Sequence, residues 1–336
     1  MVTRQDIQQL GKVWVASCPF TDNIKNIRSA IDAGVDAVVL KSVTDLERPI
    51  NRSKKQRTII KNKYPYFPNN DFGRGEYIAA PAPDFEEGDI KTSQPLYCWS
   101  DAKDIEILTL QEANKLFDEV KEYSPETKVI QSFAPRTTQQ FNNIYKLKAD
   151  AFEINSRWYK NPEFKFSKPI SFLYGSEDEN TQTYLDFQED KINRFNQFFK
   201  EINREKISVP IIYKLSRDQL ELPLEKQLAF QADGFTFSDS QKVAITTTKN
   251  GVTGMYWGKG SQCGSPLYAM TKQMTKILRK QRPDTYLSAS GGILTGEDAA
   301  AVMQAGADSI QLCTAIYQRG FNTITEAKKA IAQHEK

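Results

Sequence analysis

Two hydrophobic periods alternate along this chain. Short, nearly continuous apolar runs read as strands buried on both faces: VWVAS at 13–17, AVVLK at 37–41, KVIQSF at 128–133, FEIN at 152–155, PIIYKL at 210–215, FTFS at 235–238, TYLSA at 285–289 and IQLCT at 310–314. Between them lie stretches with helical spacing. Ile24, Ile27, Ala30 and Ile31 recur three and four apart after Thr21, which reads as the cap, and stop at Gly34. Thr109 and Glu112 open a helix through Leu116, Phe117 and Val120. Thr295 and Asp298 stand three apart before Ala299, Ala300, Val302 and Met303, which predicts a helix over 296–304 that stops at Gly306.

A short motif recurs at four strand starts. Val35-Asp36-Ala37, Ala149-Asp150-Ala151, Ala232-Asp233-Gly234 and Ala307-Asp308-Ser309 each end a helical pattern and lead into a strand. An Asp there reads as a turn former at the bottom of a sheet, with no catalytic role. Eight strands, each followed by a helical stretch, imply an α/β fold with a parallel sheet closed into an eight-stranded (β/α)8 TIM barrel. The whole chain, 1–336, then forms a single domain. Two connections are too long for simple turns. These insertions, about 42–108 and 156–208, leave the C-terminal ends of strands and are expected to cover the barrel mouth, where barrel enzymes do chemistry. The first holds Arg48, Arg52, Lys54, Lys55, Arg57, Lys61 and Lys63 with no acid among them, either a solvated surface or a site for an anionic substrate or partner.

The turn after the seventh strand carries Gly291 and Gly292, and Thr314 and Ala315 follow the eighth. Glycines at such a turn let backbone N–H groups approach an anion, and strands seven and eight of barrels carry phosphate in this way. A tight turn with no ligand remains the alternative. Lys41 and Lys214 end apolar strands inside the predicted barrel, where an ammonium is costly to bury without an anion. Snorkelling to solvent is the other reading of each.

Composition removes several chemistries. Lys+Arg 45 against Asp+Glu 42 gives a net charge of +3, too little to argue for nucleic acid. No run of eighteen apolar residues is present and the N-terminal stretch lacks a signal-peptide core, so no membrane span and a cytoplasmic location are expected. Cys18, Cys98, Cys263 and Cys313 show no metal spacing, and no metal is expected. His334 is the sole histidine, which removes Ser-His-Asp triads, Cys-His pairs and His-based zinc sites within one chain. A cofactor that carries the hard chemistry itself suits such a chain.

At the strand ends the chain resembles the dihydroorotate dehydrogenase family of FMN-dependent barrels, including the related dihydropyrimidine dehydrogenases. The similarity is clearest in VWVASCPFTDNIKNIRSAIDAGVDAVVLKS near the start and in 288–320, weaker at FEIN, PIIYKLS and GFTFS, and covers about half the chain. The resemblance implies FMN as cofactor, with Ala16 and Ser17 against the flavin and Lys41 and Ser42 at its edge. It implies Asn155 near flavin and substrate, Lys214 beside N1 and O2 of the ring, and Gly291 and Gly292 at the phosphate with Thr314 and Ala315. Ser238 ends strand six, and Gly264 would serve the glycine turn that follows. Lys41, Asn155, Lys214 and Ser156 are the catalytic candidates.

Departures are equally specific. The family's dihydroorotate enzymes place a Cys or Ser base three residues after the strand-four Asn; Trp158 stands there in this chain, with Ser156 two positions short. Cys98 and Cys263 lie on the mouth-covering loops as other thiol candidates. The Asn-rich loop that grips orotate has no counterpart between 42 and 108. The expectation is a pyrimidine-metabolism-like FMN oxidoreductase acting on a CH–CH group of a small cyclic substrate, with hydride passing to flavin N5. Its partners would be that small molecule and an electron acceptor the sequence does not name; a homodimer is admitted. Two alternatives stay open: an FMN- or phosphate-ligand-binding barrel serving as a sensor or complex subunit, and a phosphate-binding barrel lyase using Lys214 as a Schiff-base amine.

Overall fold

The computed structural model describes residues 2–44, 108–156, 179–215, 232–237, 241–244, 259–262 and 264–335. Eight parallel strands close into a barrel: β1 (Val13–Val15), β2 (Ala37–Val43), β3 (Lys128–Phe133), β4 (Ala151–Asn155), β5 (Ile211–Leu215), β6 (Gly234–Phe237), β9 (Tyr286–Ser290) and β10 (Ser309–Leu312). β1 and β10 pair to complete the circle. An antiparallel ribbon, β7 (Gln241–Ala244) with β8 (Lys259–Gln262), interrupts the path from β6 to the next helix and has no forecast in the sequence pattern.

Interleaved helices are α1 (Arg4–Gln8), α2 (Ile24–Asp32), α3 (Leu110–Tyr123), α4 (Glu179–Glu201), α5 (Tyr268–Gln281), α6 (Gly296–Gln304), α7 (Thr314–Arg319) and α8 (Asn322–His334), with a 3-10 stretch, Thr138–Lys146, between β3 and β4. The capping boxes read from Thr109–Glu112 and Thr295–Asp298 are both formed. Thr21 does not cap α2. Its hydroxyl is held by Cys18, and the side chain of Asn23 accepts from Asn26 N–H in its place. The second insertion also divides differently from the sequence reading. Phe195 and Phe199 of α4 stand edge-on against Tyr213 of β5, so its 179–201 portion is a barrel helix. Residues 45–107, nearly all of the first insertion, and 157–178 of the second lie outside the described residues.

Inside, the lower half of the barrel is an apolar plug. Trp14, Ala37, Val39, Ile130, Ala151, Ile212 and Tyr286 point inward and meet Ile7 and Leu10 from the N-terminal segment. Trp14 stacks on Tyr286 at 5.9 Å, and its indole donates to Gly11 O. The residues between them in each strand face outward into the larger core under the helices.

The four recurrent aspartates turn out to fasten the bottom of the barrel in pairs of strands. The backbone N–H of Asp36, Asp150, Asp233 and Asp308 donates to the carbonyl of Val13, Val129, Ile211 and Leu287 respectively. Each carboxylate accepts the N–H of that same residue, at 2.9, 2.7, 2.8 and 2.9 Å. A cation from a neighbouring segment clamps each one: Lys328 on Asp36, Lys121 on Asp150, Arg204 on Asp233, and Arg4 with Arg279 on Asp308. Strands begin there with donors that have no ladder partner, and an ionised Asp satisfies them.

Candidate active site at the barrel mouth

Above the plug the inner face turns polar. Side chains alternate along each strand, so two residues on from Ala151 and Ile212 the barrel presents Glu153 and Lys214. The Glu153 and Lys214 side chains are only 1% and 4% exposed, and Lys214 Nζ donates to Glu153 Oε1 at 3.2 Å. Gln311 Nε2 of β10 donates to Glu153 Oε2 at 2.9 Å and lies 3.1 Å from Thr236 Oγ1 and 3.3 Å from Ser288 Oγ. Gln311 Oε1 is buried with no protein partner. Asn155 sits level with Lys214 on the adjacent strand, buried. Inner layers of such barrels are ordinarily branched aliphatic residues. Desolvating an ion pair here is expensive unless its geometry and further hydrogen bonds compensate.

Further round the wall, past β4, the pairing of β2 with β3 skips from Leu40↔Gln131 to Val43↔Phe133. Lys41 and Ser42 therefore both oppose Ser132, a bulge that turns two consecutive side chains to the inner face. Ser42 Oγ meets Ser132 Oγ at 2.9 Å and Ser17 Oγ at 3.4 Å. Ala16 is buried, and its N–H extends the ladder to Leu312 O. Just beyond, Cys18 is buried against Cys313. Burial first, then the hydrogen bond to Cys313, pushes the Cys18 thiol well above its ordinary range.

Gly291 and Gly292 take φ of 105° and 77°, left-handed backbone that favours glycine. The turn they form packs on the start of α5, where Thr271 Oγ1 donates to Ser290 O and Gly291 O. A Cβ on Gly292 would stand 2.3 Å from Tyr268 N and 2.9 Å from Gly264 O. Helix packing therefore requires glycine at 292 whatever ligand the turn holds. Gly264 itself has φ 84° and leads into α5 through Ser265–Leu267. Thr314 and Ala315 open α7, next to this turn because Gln311 pairs with Ser290. The first N–H groups of a helix have no carbonyl within it, so they are available to an anion.

The structure thus brings Lys41, Ser42, Ser17, Ala16, Asn155 and Lys214 to the inner face or rim of the mouth, and sets Gly291, Gly292, Gly264, Thr314 and Ala315 along one side. Ser156 is not among them. It is fully buried on the outer side of β4, its hydroxyl 2.5 Å from the Tyr213 hydroxyl. Ser238, Trp158 and Cys98 lie outside the described residues, as does Cys263. Sequence reading missed Glu153, Gln311, Thr236 and Ser288. A signal for the first existed, since Glu153 is the one acidic residue within the eight barrel strands.

The architecture and this polar mouth define a (β/α)8 barrel with a buried lysine–glutamate pair toward its C-terminal end. Curated relatives of the chain are dihydroorotate dehydrogenases, the family it resembles. A dihydroorotate dehydrogenase (quinone) of Halorhodospira halophila is 30% identical over 136 residues, 38% of this chain and 37% of that protein. Those of Delftia acidovorans and Paraburkholderia xenovorans are 33% and 30% identical over 91 and 126 residues. The matched stretch spans about a third of the length of these relatives, 26–37% of each. No family model matches the chain. No helix among the described residues is long and apolar enough to cross a membrane.

Proposed function

We propose that this protein is an FMN-dependent oxidoreductase resembling dihydroorotate dehydrogenase, acting on a C–C bond of a small cyclic substrate. The observation that carries the reading is the buried Lys214 at the mouth, level with Asn155 and supported from below by Glu153. The donors at the mouth suit FMN. The left-handed turn at Gly291–Gly292 and the opening N–H groups of α7 suit a phosphate. Asn155 and Lys214 suit the oxygen-rich edge of an isoalloxazine ring. The flavin would supply the two-electron chemistry, exchanging hydride with a substrate carbon.

The chain's own residues have definable tasks. Lys214 offers a fixed positive charge where negative charge develops, in a site shielded from water by the apolar plug beneath. Asn155 orients ring or substrate through its amide, and Lys41 with Ser42 and Ser17 borders the part of the mouth formed by β2 and β1. Proton transfer does not fall to Ser156, which faces the helices. An indole offers no acceptor to replace a Cys or Ser base at position 158. Dihydroorotate itself is therefore expected to be a poor substrate, and a related cyclic compound the better one. A quinone, the acceptor in the relatives' names, is the first electron acceptor to assay.

The test is the reduction potential of FMN-loaded protein with and without Lys214→Ala. Loss of the cation should lower the potential, each ~30 mV corresponding to about 1.4 kcal/mol for a two-electron couple. A potential that stays or rises removes Lys214 from the flavin. Borohydride trapping of a carbonyl compound on Lys214 would instead favour a Schiff-base lyase.

A further inference from the structure

We infer that Glu153 is a positioning residue for Lys214: its carboxylate keeps the buried ammonium charged and in one place, so that the mouth offers a fixed cation to an anionic ring. The identity of that ring rests on the flavin reading above, whereas the coupling of Glu153 to Lys214 does not.

Strand register sets Glu153 beneath the lysine. Asn155 pairs with Lys214 and Glu153 with Ile212, so Glu153 lies one inner layer below the lysine. The ammonium is drawn down to Oε1, and the carboxylate cannot swing up to the mouth because Gln311 holds Oε2 from across the barrel. Gln311 is in turn set against Thr236 and Ser288, so strands β4, β5, β6, β9 and β10 all contribute to one network.

Burial alone would drive a lysine toward its neutral amine, and an opposite charge in contact restores the cation. Among the described residues, the ionisable groups at inner-face positions of the barrel strands are Glu153 on β4, Lys214 on β5, Lys41 on β2, Tyr286 on β9 and, at the bottom, Lys128 on β3, with the Cys313 thiol just past β10. On β1, β3 and β6 the other inner-face residues, Trp14, Ala16, Ile130, Ser132, Gly234 and Thr236, are not ionisable. Lys41 and Lys128 carry the same sign as Lys214, so among the described residues Glu153 is the one acid on the inner face that opposes it. Fold stability gives no reason for the pair, because well-packed apolar residues commonly replace a buried ion pair without loss.

The experiment follows the side-chain amine of Lys214 by 15N-lysine NMR against pH in ligand-free protein, with the signal assigned by its loss in Lys214→Arg. Glu153→Gln retains shape and removes charge. It should lower the proton affinity of Lys214 by about tenfold or more, and Glu153→Asp, measured beside it, should shift the titration less. In FMN-loaded protein Glu153→Gln should move the reduction potential in the same direction as Lys214→Ala. The double variant should add little to Lys214→Ala alone, the signature of one coupled unit. A role in folding only would lower the melting temperature and leave the titration where it was. Unchanged titration of Lys214 in folded Glu153→Gln overturns the inference. Protein that takes up no FMN removes the flavin reading, and the titration still decides the role of Glu153.

Discussion

Replacing Asp308 with Ala should destabilise the barrel more than the same change at any of the other three recurrent aspartates. The Asp308 side chain is 2% exposed, against 10% for Asp233, 24% for Asp36 and 25% for Asp150. Its Oδ2 accepts from Leu287 N–H at 2.9 Å and Arg279 Nη2 at 2.6 Å. Its Oδ1 accepts from Arg4 Nε at 2.8 Å and Gln8 Nε2 at 3.1 Å. Removal leaves a buried strand-end N–H without its charged acceptor, a loss of about 1.5–3 kcal/mol. Breaking a buried ion pair costs about 3–5 kcal/mol when the partner stays buried. The Arg4 side chain is 35% exposed and can rehydrate, so the upper figure is discounted for solvent screening and about 3 kcal/mol is expected. Urea denaturation followed by far-UV circular dichroism would measure this, with Asp118→Ala as control. Asp118 pairs with Lys148 on the surface, both more than half exposed, where ion pairs contribute at most about 1 kcal/mol. An Asp308→Ala midpoint no lower than that of Asp118→Ala would refute the reasoning.

Other expectations follow from the same geometry. Gly292→Ala should cost about 2–4 kcal/mol even without ligand, through left-handed strain and collision with the start of α5. Gly34→Ala has φ 86° but nothing within 4 Å, so it should cost only about 1–2 kcal/mol; thermal melts of the two variants, equal within error, would contradict this. Ser156→Ala should lose about 1 kcal/mol of stability from its bond to Tyr213 and leave flavin affinity unchanged, and a large fall in affinity would return Ser156 to the site. Cys18 should resist alkylation in native protein at mildly alkaline pH, because a raised thiol pKa withholds the reactive thiolate; mass spectrometry showing rapid labelling would contradict it.

The barrel was legible because its strands are apolar on both faces and its helices are capped by local pairs such as Thr295 and Asp298. Strand ends read from sequence fall within two residues of the observed ones. The recurrent Asp was recognised as a bottom-face element, but its reciprocal bond to the neighbouring strand depends on barrel closure, which no local pattern encodes. The placement of Asn155 and Lys214 at the mouth was legible from their position at strand ends. Glu153 escaped because alternation inside FEIN reads the same whether its glutamate meets water, a helix or a lysine of the neighbouring strand. Ser156 was misjudged for a related reason: one residue past Asn155 the side chain changes face, and proximity in sequence became separation by the thickness of the sheet. Gly292 shows a different ambiguity, since a glycine required by helix packing and one required by a phosphate look alike in sequence.

The proposed function depends on a flavin at the mouth of the barrel. The most direct measurement is the visible absorption spectrum of the purified protein, with the released chromophore identified by mass. The expected result is yellow protein carrying non-covalent FMN, approaching one per chain after addition of excess cofactor. Colourless protein that takes up no FMN under those conditions would contradict it.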